Sequence, residues 1–327
     1  MSFNARTDLA LEARELYFET SSLTTDAEGV KAEEEEADYG INITRVMVTN
    51  SEGEKALGKA IGTYTTIEFP GHEDASQEAY EEACRICAKE LCRLLNKKHN
   101  GPVLVIGLGN RNITADALGP MAVDSVLVTR HLLEYMPEEI DERLRSVCAI
   151  SPGVLGITGV ETGEIVKGVS AKVNPSLIIA IDALCSRRME RINNTVQMTD
   201  TGIVPGAGIG NRRMAIDEQT LGVPVIAIGV PTVVDAATIA GDTIDKLIEN
   251  LKQNAKENLP LYKMLTVIED EDKYSMIKQV LKPDHGDFIV TPKEVDSSVS
   301  SISRIIANGI NIALHEGITL RDIDRYR

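Results

Sequence analysis

Two aspartates stand where a hydrolytic site could be built. Asp116 precedes Ala117-Leu118-Gly119-Pro120, in the loop after the apolar run Val103-Leu104-Val105-Ile106-Gly107-Leu108-Gly109-Asn110. Asp182 directly follows Leu177-Ile178-Ile179-Ala180-Ile181. An ionised carboxylate at the end of a buried parallel strand is costly without partners, and such residues tend to mark sites. Open α/β sheets carry their working crevice at those carboxyl ends. We expect Asp116 and Asp182 to face each other there. Two carboxylates held close cannot both ionise, and the proton they share lets one act as base on a water while the other acts as acid. That chemistry hydrolyses an amide without a covalent intermediate. The bland reading of either residue alone is structural: Asp116 caps the helix beginning near Leu118, and Asp182 accepts from backbone amides. Asp235, after a third apolar strand, reads as the cap of the helix Ala236–Asn254. Asp235 and Asn110 are also candidate walls of the site.

Other chemistries find less support. Gly107-Leu108-Gly109-Asn110-Arg111-Asn112 begins like a dinucleotide fingerprint, but Asn112 stands at its last position and no helix opens there to receive a pyrophosphate. Gly206-Ala207-Gly208-Ile209-Gly210-Asn211 lacks the Gly-Lys-Ser/Thr of a phosphate-binding loop and reads as a flexible loop over the site. There is no Gly-x-Ser-x-Gly elbow. His72, His99, His131, His285 and His315 lie mostly in polar turns or helices, and Cys185 is the strand-end cysteine. Cys84 and Cys87 form a C-x-x-C, but they fall within a helical pattern with Ala83, Ile86, Leu91 and Leu94, and no second cysteine pair completes a zinc set. No metal and no other cofactor is expected.

The elements that position the aspartates follow from periodicity. Leu9 to Glu19 reads as a short amphipathic helix, and Thr20 to Asp38 as a polar linker or exposed loop, with Glu33-Glu34-Glu35-Glu36 a solvated charge run. Ile41–Thr49 and Ile61–Phe69 alternate like antiparallel strands, and a helix spans Ser76 to Lys98. From Val103 onward strand-then-helix units repeat, with strands at 103–108, 146–150, 177–181 and 223–230 and helices at 118–135, 163–173, 235–254 and 293–315. This is the pattern of an α/β fold with a mostly parallel central sheet, helices on both faces, and a small antiparallel β excursion near the N-terminus.

With 34 Lys and Arg against 50 Asp and Glu, the chain carries a formal charge of −16, which argues against direct nucleic-acid binding and against an anionic membrane surface. The first ten residues lack the apolar core of a signal peptide, and Pro224, Pro231 and Asp235 interrupt the longest apolar stretch. Five scattered cysteines are no disulfide framework. A soluble, intracellular chain is expected.

Several blocks carry a resemblance. Gly107-Leu108-Gly109-Asn110, Thr114-Ala115-Asp116-Ala117-Leu118-Gly119-Pro120, Pro152-Gly153-Val154, Ile179-Ala180-Ile181-Asp182-Ala183-Leu184, Ile226 through Asp235 and Val290-Thr291-Pro292-Lys293-Glu294-Val295 resemble the germination protease of endospore-forming bacteria, across nearly the whole chain. The resemblance implies an atypical aspartic endopeptidase that degrades small acid-soluble spore proteins in the cytoplasm of the spore core. It implies a zymogen that processes itself, a homotetramer, and Asp116 and Asp182 as the essential pair. The family cuts after acidic residues, and Thr7-Asp8-Leu9-Ala10 is similar to such a site. We therefore expect residues 1–8 to form a pro-segment cut between Asp8 and Leu9, in a polar terminus with no obvious hold on the core. Residues 9–327 then form one domain: 9–100 with the N-terminal helix, acidic linker and β excursion, 101–254 with the catalytic sheet core, and 255–327 with the C-terminal helical part. The fold also resembles hydrogenase maturation endopeptidases, in which a similar Gly-x-Gly-Asn strand serves a nickel site. Here the matching third strand, Ala227 to Thr232, has no histidine. A metal-dependent enzyme of that type, or a non-catalytic binding protein on the same scaffold, are the alternatives.

Overall fold

Apolar runs long enough to be buried on both faces make the centre of the sheet. A computed structural model describes residues 7–21, 23, 25–71, 76–95, 101–136, 138, 140–141, 143–205, 214–254, 277, 280 and 288–323. Its strands are β1 Val30–Glu36, β2 Asn42–Val48, β3 Gly62–Glu68, β4 Val103–Gly107, β5 Val147–Ile150, β6 Leu177–Ser186, β7 Thr195–Thr199, β8 Val225–Asp235 and β9 Ile289–Val290. Its helices are α1 Ala10–Ser21, α2 Ser51–Leu57, α3 Gln77–Leu94, α4 Leu118–Val123, α5 Arg130–Tyr135, α6 Leu155–Thr158, α7 Thr162–Val173, α8 Glu218–Leu221, α9 Ala236–Asn254, α10 Val295–Leu314 and α11 Leu320–Ile323.

One sheet runs in the order β1-β2-β3-β7-β8-β6-β4-β5, with β9 added to β8. The β5-β4-β6-β8 half is parallel, and β8-β7-β3-β2-β1 is antiparallel throughout. The expected β excursion is therefore continuous with the parallel core. The strand that joins them, β7, escapes sequence reading because Thr195, Gln197 and Thr199 look like loop residues, yet all three are buried. Alternate residues of the central strands feed two cores, as a pleat requires. Val103, Val105, Ile179 and Ile181 pack with Ile86 and Leu91 of α3 and with Ile302 and Ile306 of α10. Leu104, Ile106, Ile178 and Ala180 pack with Val166 of α7.

Three expectations are corrected. Residues 30–36 are a strand, not a linker. The acidic run is tolerated there because Glu35 pairs with Arg45 at 2.6 Å and with Lys89 at 2.8 Å, and Glu34 pairs with Arg14 at 3.1 Å. Lys89 and Arg45 hold the Glu35 carboxyl at about 2, below the usual carboxylate range. The predicted helix 118–135 is two helices. The break between them is stable because buried Asn311 of α10 accepts from Leu127 N at 2.8 Å and donates to Ser125 O at 3.1 Å. Third, β6 and β8 run on to Ser186 and Asp235, past the ends read from their apolar runs. The glycine-rich segment 206–213, the end of the predicted helix 76–98, and most of the region after Asn254 lie outside the described residues.

His315, at the end of α10, is 1% exposed and accepts from Arg145 N through Nδ1 at 3.1 Å. Burial, with Arg145 nearby, pushes its pKa down to about 4. The unfolded chain then binds a proton that the folded chain refuses, so stability present above the ordinary value is lost as pH falls through 6.5 towards 4. A shift of that size corresponds to about 3 kcal/mol. Denaturant unfolding at pH 7 and pH 4 should show His315→Gln losing less stability on acidification than the parent, by roughly that amount. An equal acid loss in both would contradict the assignment.

Candidate active site

Asp116 and Asp182 line one cavity of about 590 Å³, shared with Asp8, Lys59, Asn110 and Gln197. Sheet geometry explains why they meet there. The last pairing of β4 with β6 is Gly107 with Ile181, and Leu108 N donates to Ile181 O at 2.8 Å. Asp182 is thus not at the end of its own strand, as its sequence position suggests. It stands inside β6, opposite Gly229 of β8, at the first position beyond the reach of β4. Its side chain is buried and accepts from Ala183 N at 2.9 Å through Oδ1.

Asp116 arrives from the other side of the same gap, on the turn Thr114–Asp116 that follows β4. Three contacts fix that turn. Asn110 N donates to Asp116 Oδ2 at 2.8 Å. Buried Thr232 of β8 donates to Ala115 O at 2.6 Å. Gly119, in the first turn of α4, lies so close to the strand ends that a Cβ there would sit 2.3 Å from Leu108 O and 2.6 Å from Ile181 O. Backbone thus packs on backbone, drawing the turn down onto β6. Gly109 has φ +108, a conformation that side-chain-bearing residues rarely adopt, and a Cβ there would meet Asp116 O at 2.1 Å.

Of the remaining predicted residues, Asn110 lines the cavity, whereas Asp235 is not among its lining residues. The Asp235 carboxylate accepts from Ala237 N at 2.8 Å and Thr238 N at 3.1 Å, which is the cap at the start of α9. Cys185 lies within β6, not at its end. His131 and His315, the histidines among the described residues, are not in the cavity lining.

The N-terminal segment corrects the expectation of a terminus without a hold on the core. Leu9 and Ala10 are fully buried. Asp8 is tied to β6 by its backbone and its side chain: Asp8 N donates to Cys185 O at 2.9 Å, and Cys185 N donates to Asp8 Oδ2 at 2.8 Å. Glu12, 1% exposed, accepts from Arg187 N at 2.6 Å and Arg188 N at 3.0 Å, and pairs with Arg191 at 3.2 Å. Arg191 also holds Glu15 and Glu68. Sequence reading missed Lys59 and Gln197, whose types are common on surfaces; no spacing pattern marks them.

Among the described residues, no cluster of three or more His, Cys, Asp or Glu is placed to hold a metal ion, and no helix is long and apolar enough to cross a membrane.

Comparison with known proteins matches the chain to one family. The germination protease family model matches residues 10–267 and 252–327. The chain is 52% identical over 323 residues to the germination protease of Clostridium tetani, covering 99% of each chain. It is 48% identical to that of Clostridium perfringens, again over 99% of each, and 38% identical to that of Bacillus pumilus, over 99% of this chain and 97% of that one. A solved [NiFe] hydrogenase maturation protease from Thermococcus kodakarensis aligns with 68% of this chain and 98% of its own, at 12% identity and a TM-score of 0.32, too loose a likeness to bear on the site. The chain is a peptidase on a mixed α/β sheet. It belongs to the germination protease family.

Gly109→Ala should misplace Asp116, by strain of about 1–3 kcal/mol and by direct collision. We expect a lower melting temperature and peptide cleavage reduced more than tenfold. Parent-like values for both would contradict the role given to this turn.

Proposed function

We propose that Asp116 and Asp182 activate a water for peptide hydrolysis, and that the chain cuts itself between Asp8 and Leu9. One observation carries this reading: both aspartates and Asp8 line a single cavity beside the open edge of β6. One ionised aspartate takes a proton from water as the oxygen attacks the carbonyl carbon, and the protonated partner supplies the proton to the leaving nitrogen. The relatives' name and the resemblance of the motif blocks support small acid-soluble spore proteins as substrates, residues 1–8 as a pro-segment, a homotetramer, and a place in the spore core. The apolar rim of the cavity, where Ile113 and Val204 stay exposed, suits a peptide more than a small charged substrate.

Asp116→Asn and Asp182→Asn should each remove self-cleavage and cleavage of a spore-protein peptide by at least 10³-fold with the fold intact by circular dichroism, since a water-activating pair needs both members. Near-parental activity in either folded variant would end this reading. Loss of activity on chelation, restored by nickel or zinc, would favour the metal-dependent alternative. N-terminal sequencing of the processed chain should begin Leu9-Ala10-Leu11, and Asp8→Lys should stay uncut. A different new terminus would contradict the assigned bond.

A further inference from the structure

The carbonyl of Asp8 is held in a way that a loop carbonyl beside a helix does not require. It accepts from Lys59 Nζ at 2.9 Å and from Gln197 Nε2 at 3.2 Å. These donors come from different elements, Lys59 from the turn after α2 and Gln197 from β7. The hydrogen bonds of Lys59 to described residues go to carbonyls, Asp8 O and, at 3.4 Å, Thr7 O. Burial lowers the Lys59 pKa from its ordinary value, and the nearby negative charges of Asp8 and Glu12 oppose that. Gln197 is also fixed at its other end, because Oε1 accepts from Ala10 N at 2.6 Å. Its amide therefore brackets the bond between Asp8 and Leu9, one end on the residue before it and the other on the residue after Leu9. The scissile nitrogen, Leu9 N, donates to Thr7 Oγ1 at 3.0 Å.

Strand geometry supplies the remaining constraint. Ile181 presents its carbonyl to β4, where it accepts from Leu108 N. β4 stops at Gly107, opposite Ile181. Asp8 bonds both backbone groups of Cys185, its N donating to Cys185 O and its Oδ2 accepting from Cys185 N, at the point where the register of β6 with β8 shifts between Leu184 and Cys185. The Asp8 peptide is thereby held in the cavity that Asp182 lines, with its carbonyl turned to the Lys59 amine and to an amide N–H of Gln197.

We propose that Lys59 and Gln197 form the oxyanion site of this protease, acting first on the Asp8–Leu9 bond; the proposal rests on the water-activating aspartate pair argued above. In the step, the water oxygen bonds to the Asp8 carbonyl carbon and its proton passes to the ionised aspartate. The carbonyl oxygen takes the negative charge between Lys59 Nζ and Gln197 Nε2. Collapse breaks the bond from Asp8 C to Leu9 N, and the protonated aspartate gives its proton to that nitrogen. Asp8 leaves with a new α-carboxyl group and Leu9 with a new amine. Donors placed where charge develops contribute more inside a shielded cavity than in water, and losing one typically costs about 10²–10³-fold in rate.

The test is the rate of self-cleavage of the full chain, read by mass spectrometry, in Lys59→Met, Lys59→Arg and Gln197→Glu beside the parent and Asp116→Asn. Lys59→Met keeps the aliphatic stem and removes the charge; Lys59→Arg keeps the charge. Gln197→Glu keeps the acceptor for Ala10 N and removes the donor to Asp8 O. We expect Lys59→Met and Gln197→Glu to cut at least 10²-fold more slowly, with melting temperatures near the parent, and Lys59→Arg to recover most of the loss. A packing role would give the opposite order, with Met tolerated and Arg not. Should Lys59→Met fail to fold, Gln197→Glu and Lys59→Arg still decide. Cutting within threefold of the parent in Lys59→Met and Gln197→Glu, while Asp116→Asn stays uncut, would overturn the oxyanion site and leave the aspartate pair standing. Undiminished cutting in Asp116→Asn, or no parental cut after Asp8, would overturn both.

Discussion

The site depends on a mismatch in strand length. β4 pairs with β6 only as far as Gly107 and Ile181, while β6 continues to Ser186 against β8. Interior strands normally have partners on both sides, because unmade backbone hydrogen bonds are costly. Beyond Ile181 that requirement is met by other means. The Asp182 carboxylate accepts from Ala183 N, and the Asp8 segment takes the backbone of Cys185. Asp182 and the Asp8 segment thus line one cavity together with Leu108 and Gly109, just past the end of β4.

Several close contacts fix the walls of that cavity. The close approach of Gly119 to Leu108 and Ile181 allows α4 to sit directly on the strand ends, and this lowers the turn that carries Asp116. Thr232 ties that turn to β8, so two neighbouring strands set the position of both aspartates. On the opposite flank, the ion pairs of Arg191 with Glu12, Glu15 and Glu68 tie α1 to the turn after β6 and to β3. Breaking a buried pair of this kind on one side leaves an uncompensated charge, which makes the anchor of the N-terminal segment hard to loosen locally.

Much of this was legible in the residues. The apolar runs at 103–107 and 177–181 are buried on both faces and read as parallel strands without ambiguity. Asp182 stands out because it directly follows a run with no polar residue, and Asp116 because it lies in the loop that leaves the other run. The rest depends on tertiary contacts that leave no local mark. β7 is written in Thr and Gln and becomes a strand only because β3 and β8 flank it. Glu33 to Glu36 have the composition of a linker, and cations far along the chain, Arg14, Arg45 and Lys89, make them a strand. Lys59 and Gln197 are ordinary residue types whose meaning comes from the carbonyl they share.

The central claim is that a water, activated beside the gap in the sheet, attacks the chain's own Asp8 carbonyl. Mass spectrometry of the chain as it processes itself in H₂¹⁸O tests this in a single turnover. The account predicts that one heavy oxygen appears in the released segment ending at Asp8, and that the fragment beginning at Leu9 carries none. Heavy oxygen in the larger fragment, a covalent adduct on any side chain, or a released segment ending elsewhere would contradict it.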